Sequence, residues 1–186
     1  MNIKKALLKE HSKKQALKIS SYIGSSQVRF DELMKCFFDD DWRLNQCAAY
    51  TMNFTVERNP QLFKKHLKKS VLNLTTPKHD AVKRNTLRIL VNFIIPEKLL
   101  GIVVDICFNF LASPKEPTAV KYFSMEILFR EAKKEPDLFH EIKILINDQM
   151  PLGSPGMEVG DRFMPYEVLL LNKDGSSEVY AEVNKK

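Results

Sequence analysis

Residues 38–49 read Phe38-Asp39-Asp40-Asp41-Trp42-Arg43-Leu44-Asn45-Gln46-Cys47-Ala48-Ala49. Three consecutive acids divide an apolar stretch from a new helix-forming one. Asp is a strong helix N-cap, and carboxylates favour the positive end of a helix. The run therefore closes one helix near Phe38 and opens another at residue 41, which extends to residue 58.

Working outward, the same punctuation recurs along the chain. Asn59-Pro60, Thr75-Thr76-Pro77, Ile95-Pro96, Ser113-Pro114, Glu116-Pro117 and Glu135-Pro136 interrupt stretches with helical periodicity. Proline suits the first turn of a helix and disfavours helix just before it. Helices are expected near 2–10, 12–23, 27–38, 41–58, 60–74, 79–94, 97–112, 117–134 and 136–149, the first two able to merge. Connections this short force neighbours to pack antiparallel, as helical hairpins.

The punctuation is periodic. Asn59-Pro60-Gln61-Leu62-Phe63 returns as Glu135-Pro136-Asp137-Leu138-Phe139, 76 residues later. Val82-Lys83 returns as Val120-Lys121 after 38 residues, and Asn53-Phe54 as Asn92-Phe93 after 39. Ile95-Pro96 falls early, which predicts a shorter middle turn. In this register Cys47, Thr86 and Ser124 share a column of small residues, where two helix axes can approach closely. Thr51, Leu90 and Leu128 share another, as do Tyr50, Ile89 and Ile127; these supply the core stripe. One pair cannot bury both of its faces, so pairs must stack into a continuous core.

Residues 38–49 resemble the core motif of a HEAT repeat: an apolar helix end, an acidic turn, a Trp or apolar residue, then Val-Arg and two alanines. Leu33 to Phe38 resembles the end of the repeat's first helix, and Val82-Lys83 and Val120-Lys121 stand where the family has Val-Arg. The resemblance covers residues 27–150. It implies an all-α fold, a right-handed α-α superhelix (a HEAT-like solenoid) of about four antiparallel helix pairs. It also implies that Trp42 packs in the core. The family's arginine is Asn45 or lysine here, which removes its buried ion pair with the turn aspartate.

Composition agrees with a folded helical chain. Of 186 residues, 44% are hydrophobic, 28% charged and only 6 are glycine, which excludes a disordered class. A chain of this length buries roughly 70% of its unfolded surface, enough to hold a core without metal or disulfide. Cys36, Cys47 and Cys107 sit in apolar stretches without Cys-x-x-Cys pairing and read as buried, reduced thiols. His11, His66, His79 and His140 are not at ligand spacing. No h-region follows the first lysines, and no apolar run could span a bilayer, so a cytoplasmic protein with no membrane partner is expected.

Residues 1–150 form the repeat domain. Residues 151–186 read as a loop followed by a short β-hairpin about Asp174-Gly175, with a flexible tail as the alternative. An isolated hairpin is marginal in water, so residues 164–186 could dock on another copy and make an oligomer.

The sequence carries no phosphate-cradling glycine loop, no Gly-x-Ser-x-Gly and no His-Glu-x-x-His, so no catalytic residue, metal or cofactor is assigned. In HEAT-type solenoids the second helix of each pair lines the concave binding face. Here that face would present Gln46, Asn85 and Tyr122 or Phe123; Ala49, Arg88 and Glu126; and Asn53, Asn92 and Arg130. The candidate binding residues are Asn53, Lys83, Arg84, Arg88, Asn92, Lys121, Tyr122 and Arg130. The strip is polar and tilts basic in a chain of net charge +6. A protein or peptide partner on a non-catalytic scaffold is the first reading. Nucleic acid is the second, by fold-level analogy with HEAT-like DNA-alkylation repair glycosylases. Lys64, Lys65, His66, Lys68 and Lys69 form the densest basic cluster, read as the solvent side of an amphipathic helix. The lysines at 4, 5, 9, 13, 14 and 18 read the same way.

Overall fold

A computed structural model describes residues 1–76, 79–135 and 137–149. Among the described residues the regular structure is helical, with no strand. In chain order the helices are α1 Ile3–Lys9, α2 Lys13–Ile23, α3 Gln27–Phe37 and α4 Trp42–Arg58. A 3₁₀ segment, Pro60–His66, then runs into α5 Leu67–Asn73. α6 Asp80–Val91, α7 Glu97–Ala112, α8 Thr118–Ala132 and α9 Asp137–Gln149 follow.

Side chains set most of the N-termini. Asp41 Oδ1 accepts from the N–H groups of Arg43 and Leu44 at 2.9 and 3.1 Å, so the acidic run does cap α4. Asn2, Ser12 and Ser26 cap α1, α2 and α3 in the same way. Ser12 separates α1 from α2, since the preceding Glu10 is extended. His79 caps α6, its Nδ1 accepting from Ala81 N–H at 3.1 Å.

Three expectations are corrected. The segment after Pro60 begins as a tight 3₁₀ turn before it relaxes into α5. α6 stops at Val91 rather than residue 94, and has 12 residues against 17 in α4. The middle repeat is therefore short in its helix, and the turn over 92–96 is long rather than short. Trp42 is 62% exposed, not packed in the core. It stands at the first position of α4, outside the seam, and stacks on His79 at 5.9 Å between ring centroids.

The chain forms two compact units, Met1–Ile102 and Val103–Lys186, which divide within α7. In the first unit α4 is the central helix. It packs against α2 and α6 on either side and against α1, α3 and the 3₁₀ segment beneath. Trp42 meets His79, and Asn53 meets Asn85 further along, so α4 and α6 run parallel, as second helices of successive pairs do. Phe30, Phe37, Leu44, Met52, Phe63 and Leu90 fill the space between the layers and are fully buried. Each such side chain contributes about 1.5–3 kcal/mol through removal from water. Asn45 takes over the position of the missing arginine: its Nδ2 donates to Phe37 O at 2.6 Å and satisfies the end of α3.

In the second unit α8 packs on α9, with Phe129 edge-on to Phe139 at 5.7 Å. Val120, Ser124, Ile127 and Leu128 are buried along α8. The small column of Cys47, Thr86 and Ser124 is buried in each unit that holds it, and so are Thr51, Leu90 and Leu128. Tyr50 departs from its column: Ile89 and Ile127 are buried, but Tyr50 is half-exposed. The hairpin expected within residues 164–186 lies outside the described residues.

Candidate binding face

α4 buries ten of its 17 residues, because helices flank it on both sides of its own layer. Besides Trp42 and Arg58 at its ends, only a narrow stripe is left to solvent: Arg43, Gln46, Tyr50, Phe54 and Glu57, at the spacing of one helix face. This rotates the predicted face. Ala49, Asn53 and Asn85, expected in solvent, are buried. A helix held by neighbours on both sides keeps about one residue per turn for solvent, and those three point into the α4–α6 seam.

Asn53 and Asn85 are nevertheless partnered. Asn53 Nδ2 donates to Asn85 Oδ1 at 2.7 Å and to Ala49 O at 3.0 Å, and Asn85 Nδ2 donates to Ala81 O at 2.7 Å. Thr51 and Thr55 return their hydroxyls to carbonyls one turn earlier, at 2.9 and 3.1 Å. Of these bonds, Asn53–Asn85 crosses the seam, while the threonines satisfy their hydroxyls within α4.

Arg84 and Arg88 on α6 and Asn92 at its C-cap are exposed. Lys83 is half-buried and reaches Asp80 at 3.6 Å. Of the candidate residues, Asn53, Arg88 and Asn92 come together around a cleft of about 310 Å³. Sequence reasoning missed Glu57 and the apolar floor of Val56, Ile89 and Phe93, with Pro60 at the edge. Glu57 lies one turn beyond Asn53, so the helical spacing of the candidate strip could have found it. Phe93 could not be found that way, because it follows α6 and is placed by the turn.

α2 contributes a third stripe, Lys14, Lys18 and Ser21, opposite its buried Ala16, Ile19, Ser20 and Ile23. Arg58 Nη1 donates to Ser21 Oγ at 3.0 Å, which joins this stripe to the end of α4.

In the second unit, Lys121 is half-buried; burial pushes its ammonium pKa down, against the attraction of Glu116. Tyr122 is half-buried and edge-on to Phe123 at 5.2 Å; burial and the nearby Glu126 push its hydroxyl up. Arg130 is committed to the buried Glu131, Nε to Oε1 at 2.7 Å, while Lys134 takes Oε2 at 2.6 Å. Burial alone would raise the Glu131 pKa, but these two cations outweigh it and hold the carboxyl below its ordinary value.

The dense basic cluster divides. Lys65 Nζ and His66 Nε2 both reach Asp31 of α3, at 2.6 and 2.7 Å. Lys69 lies over the Phe38 ring at 4.1 Å, while Lys64 and Lys68 are exposed. Leu62, Phe63, Leu67, Val71 and Leu74 on the other side are buried, as expected.

No described helix is long and apolar enough to cross a membrane. No curated protein and no solved structure matches the chain. The model of the HEAT repeat domain matches residues 3–160, almost the whole of the described region. With capped antiparallel helices in two layers and a small-residue column at the repeat period, the chain belongs to the HEAT repeat family.

Proposed function

We propose that this protein is a non-catalytic scaffold that recognises a segment of a partner protein on its second-helix face. The HEAT repeat domain supports a repeat-based binding or scaffold role. The observation that carries the finer reading is the cleft between α4 and α6. Its floor is apolar, formed by Val56, Ile89 and Phe93, and its rim holds both Glu57 and Arg88 with the amide of Asn92. A mixed rim over an apolar floor suits a peptide side chain with polar main chain around it. It suits a phosphate backbone less well, since such a ligand has no apolar side chain to cover the floor.

The test is site-specific photo-crosslinking. A crosslinker at Asn92 should capture a protein partner, and one at Val28, exposed on α3 in the other layer, should not. Equal capture from both positions would place the partner elsewhere. Salt-sensitive gel shifts with duplex DNA or RNA, without protein capture, would replace this reading with the nucleic-acid one.

A further inference from the structure

The cleft is one end of a larger surface in the first unit, and that surface has a strong charge bias. Three stripes lie side by side: Lys14, Lys18 and Ser21 on α2, the α4 stripe, and Arg84 and Arg88 on α6 with Asn92 at its C-cap. Arg58–Ser21 joins the first two, and the cleft joins the last two. Lys14, Lys18, Arg43, Arg58, Arg84 and Arg88 are all exposed on these helices. The acids on the same helices are Glu57 and Asp80, with Asp80 3.6 Å from Lys83, and Glu10 lies beside Tyr50 and His11. Between the two cationic rows the middle of the α4 stripe is aromatic, Tyr50 and Phe54. Tyr50 is edge-on to Phe54 at 5.1 Å and to His11 at 5.5 Å, and both α4 rings are half-exposed.

We infer that the occupant of this face is an acidic segment of a partner protein that lays an apolar side chain on Tyr50 and Phe54. This deepens the scaffold reading above and rests on it. The physical case is complementarity. Carboxylates on either side of an extended or helical segment meet the α2 row and the α6 row at once. An aromatic floor supplies area that charge alone does not. Tyr and Arg are the residue types in which binding energy concentrates, while exposed charges chiefly steer encounter and select partners by sign. Phe54 and Tyr50 lie about one turn apart, roughly 6 Å along α4, the spacing of neighbouring side chains on a bound segment.

Fluorescence anisotropy on the full chain tests this with three labelled probes. One is a peptide of Glu and Asp around a central Phe, one carries Gln and Asn in place of the acids, and one is an oligothymidine. The acidic peptide should bind saturably and at least about tenfold tighter than the neutral one, more weakly as salt rises. Arg84→Glu, on an exposed helix position, should weaken it about tenfold, and Phe54→Ala should weaken it with little change in salt dependence. Equal binding of the acidic and neutral peptides, or no effect of Arg84→Glu in a folded variant, overturns the inference. Preferential binding of oligothymidine also overturns it and identifies the face as a nucleic-acid surface. If the Asn92 crosslinker still captures a protein, the scaffold reading survives the loss of the acidic-partner inference; if it does not, both fall.

Discussion

Asn53 Nδ2 donates to Asn85 Oδ1 at 2.7 Å across the seam between α4 and α6. Both residues are buried, so each amide depends on the other and on its own helix carbonyl. Removing one leaves a buried polar group without a partner, which costs about 1–3 kcal/mol. Asn53→Ala and Asn85→Ala should each destabilise by about that much in urea unfolding. The double variant should lose less than the sum, with a coupling of roughly 0.5–3 kcal/mol. Strict additivity would show that the pair contributes nothing to the seam.

Asp31 is held by Lys65, and against the opposing effect of burial also by Gln27 and His66. Its carboxyl therefore stays well below the usual carboxylate range. A lowered folded-state pKa contributes stability above the unfolded value of 3.8, and that contribution is lost as pH falls through the folded value. Asp31→Asn should cost on the order of 1 kcal/mol at neutral pH, less in high salt. The gap between variant and parent should begin to narrow only below about pH 4 and close as pH falls through the folded value. A constant gap across the acid range would refute the ionic account.

Thr86 is fully buried at the small-residue column, and its Oγ1 has no hydrogen-bond partner among the described residues. Thr86→Val keeps the shape and removes the stranded hydroxyl. Thermal unfolding should show no loss, or a gain of up to about 1 kcal/mol. Thr86→Leu should destabilise by about 1–3 kcal/mol, because the two helices cannot separate to admit it.

Trp42→Ala should cost less than about 1 kcal/mol, against the roughly 3–5 kcal/mol typical of a core tryptophan. Trp42 is the single tryptophan, so its fluorescence reports on this site alone. It should be readily quenched by iodide. Strong protection from iodide would mean that the ring is covered in solution.

Burial pushes the Cys107 thiol up to about 12 and raises those of Cys36 and Cys47 as well. Ellman's reagent should react slowly with the native chain at neutral pH, and with all three thiols once it is unfolded. Fast native reaction of any one thiol would contradict its burial.

Much of the architecture was legible in local residues. The acids at 39–41, the prolines and the period near 38 residues set most helix starts and the repeat family, because capping and proline sterics act within one turn. Asp41 caps α4 as its position demanded, and Leu90 and Leu128 are buried as their column demanded. The face of each helix was less legible. Asn53, Ala49 and Asn85 were expected in solvent and lie in the seam, whereas Trp42 was expected in the core and is exposed. Polarity and size in sequence do not tell on which side a neighbouring helix will pack; that depends on helices far along the chain. The sequence by itself determined that α4 would form, where it would start and what repeat it belonged to. Only the tertiary structure decided that α4 would be flanked on both sides, that its asparagines would bond inward, and that Tyr50 and Phe54 would be left between two rows of cations.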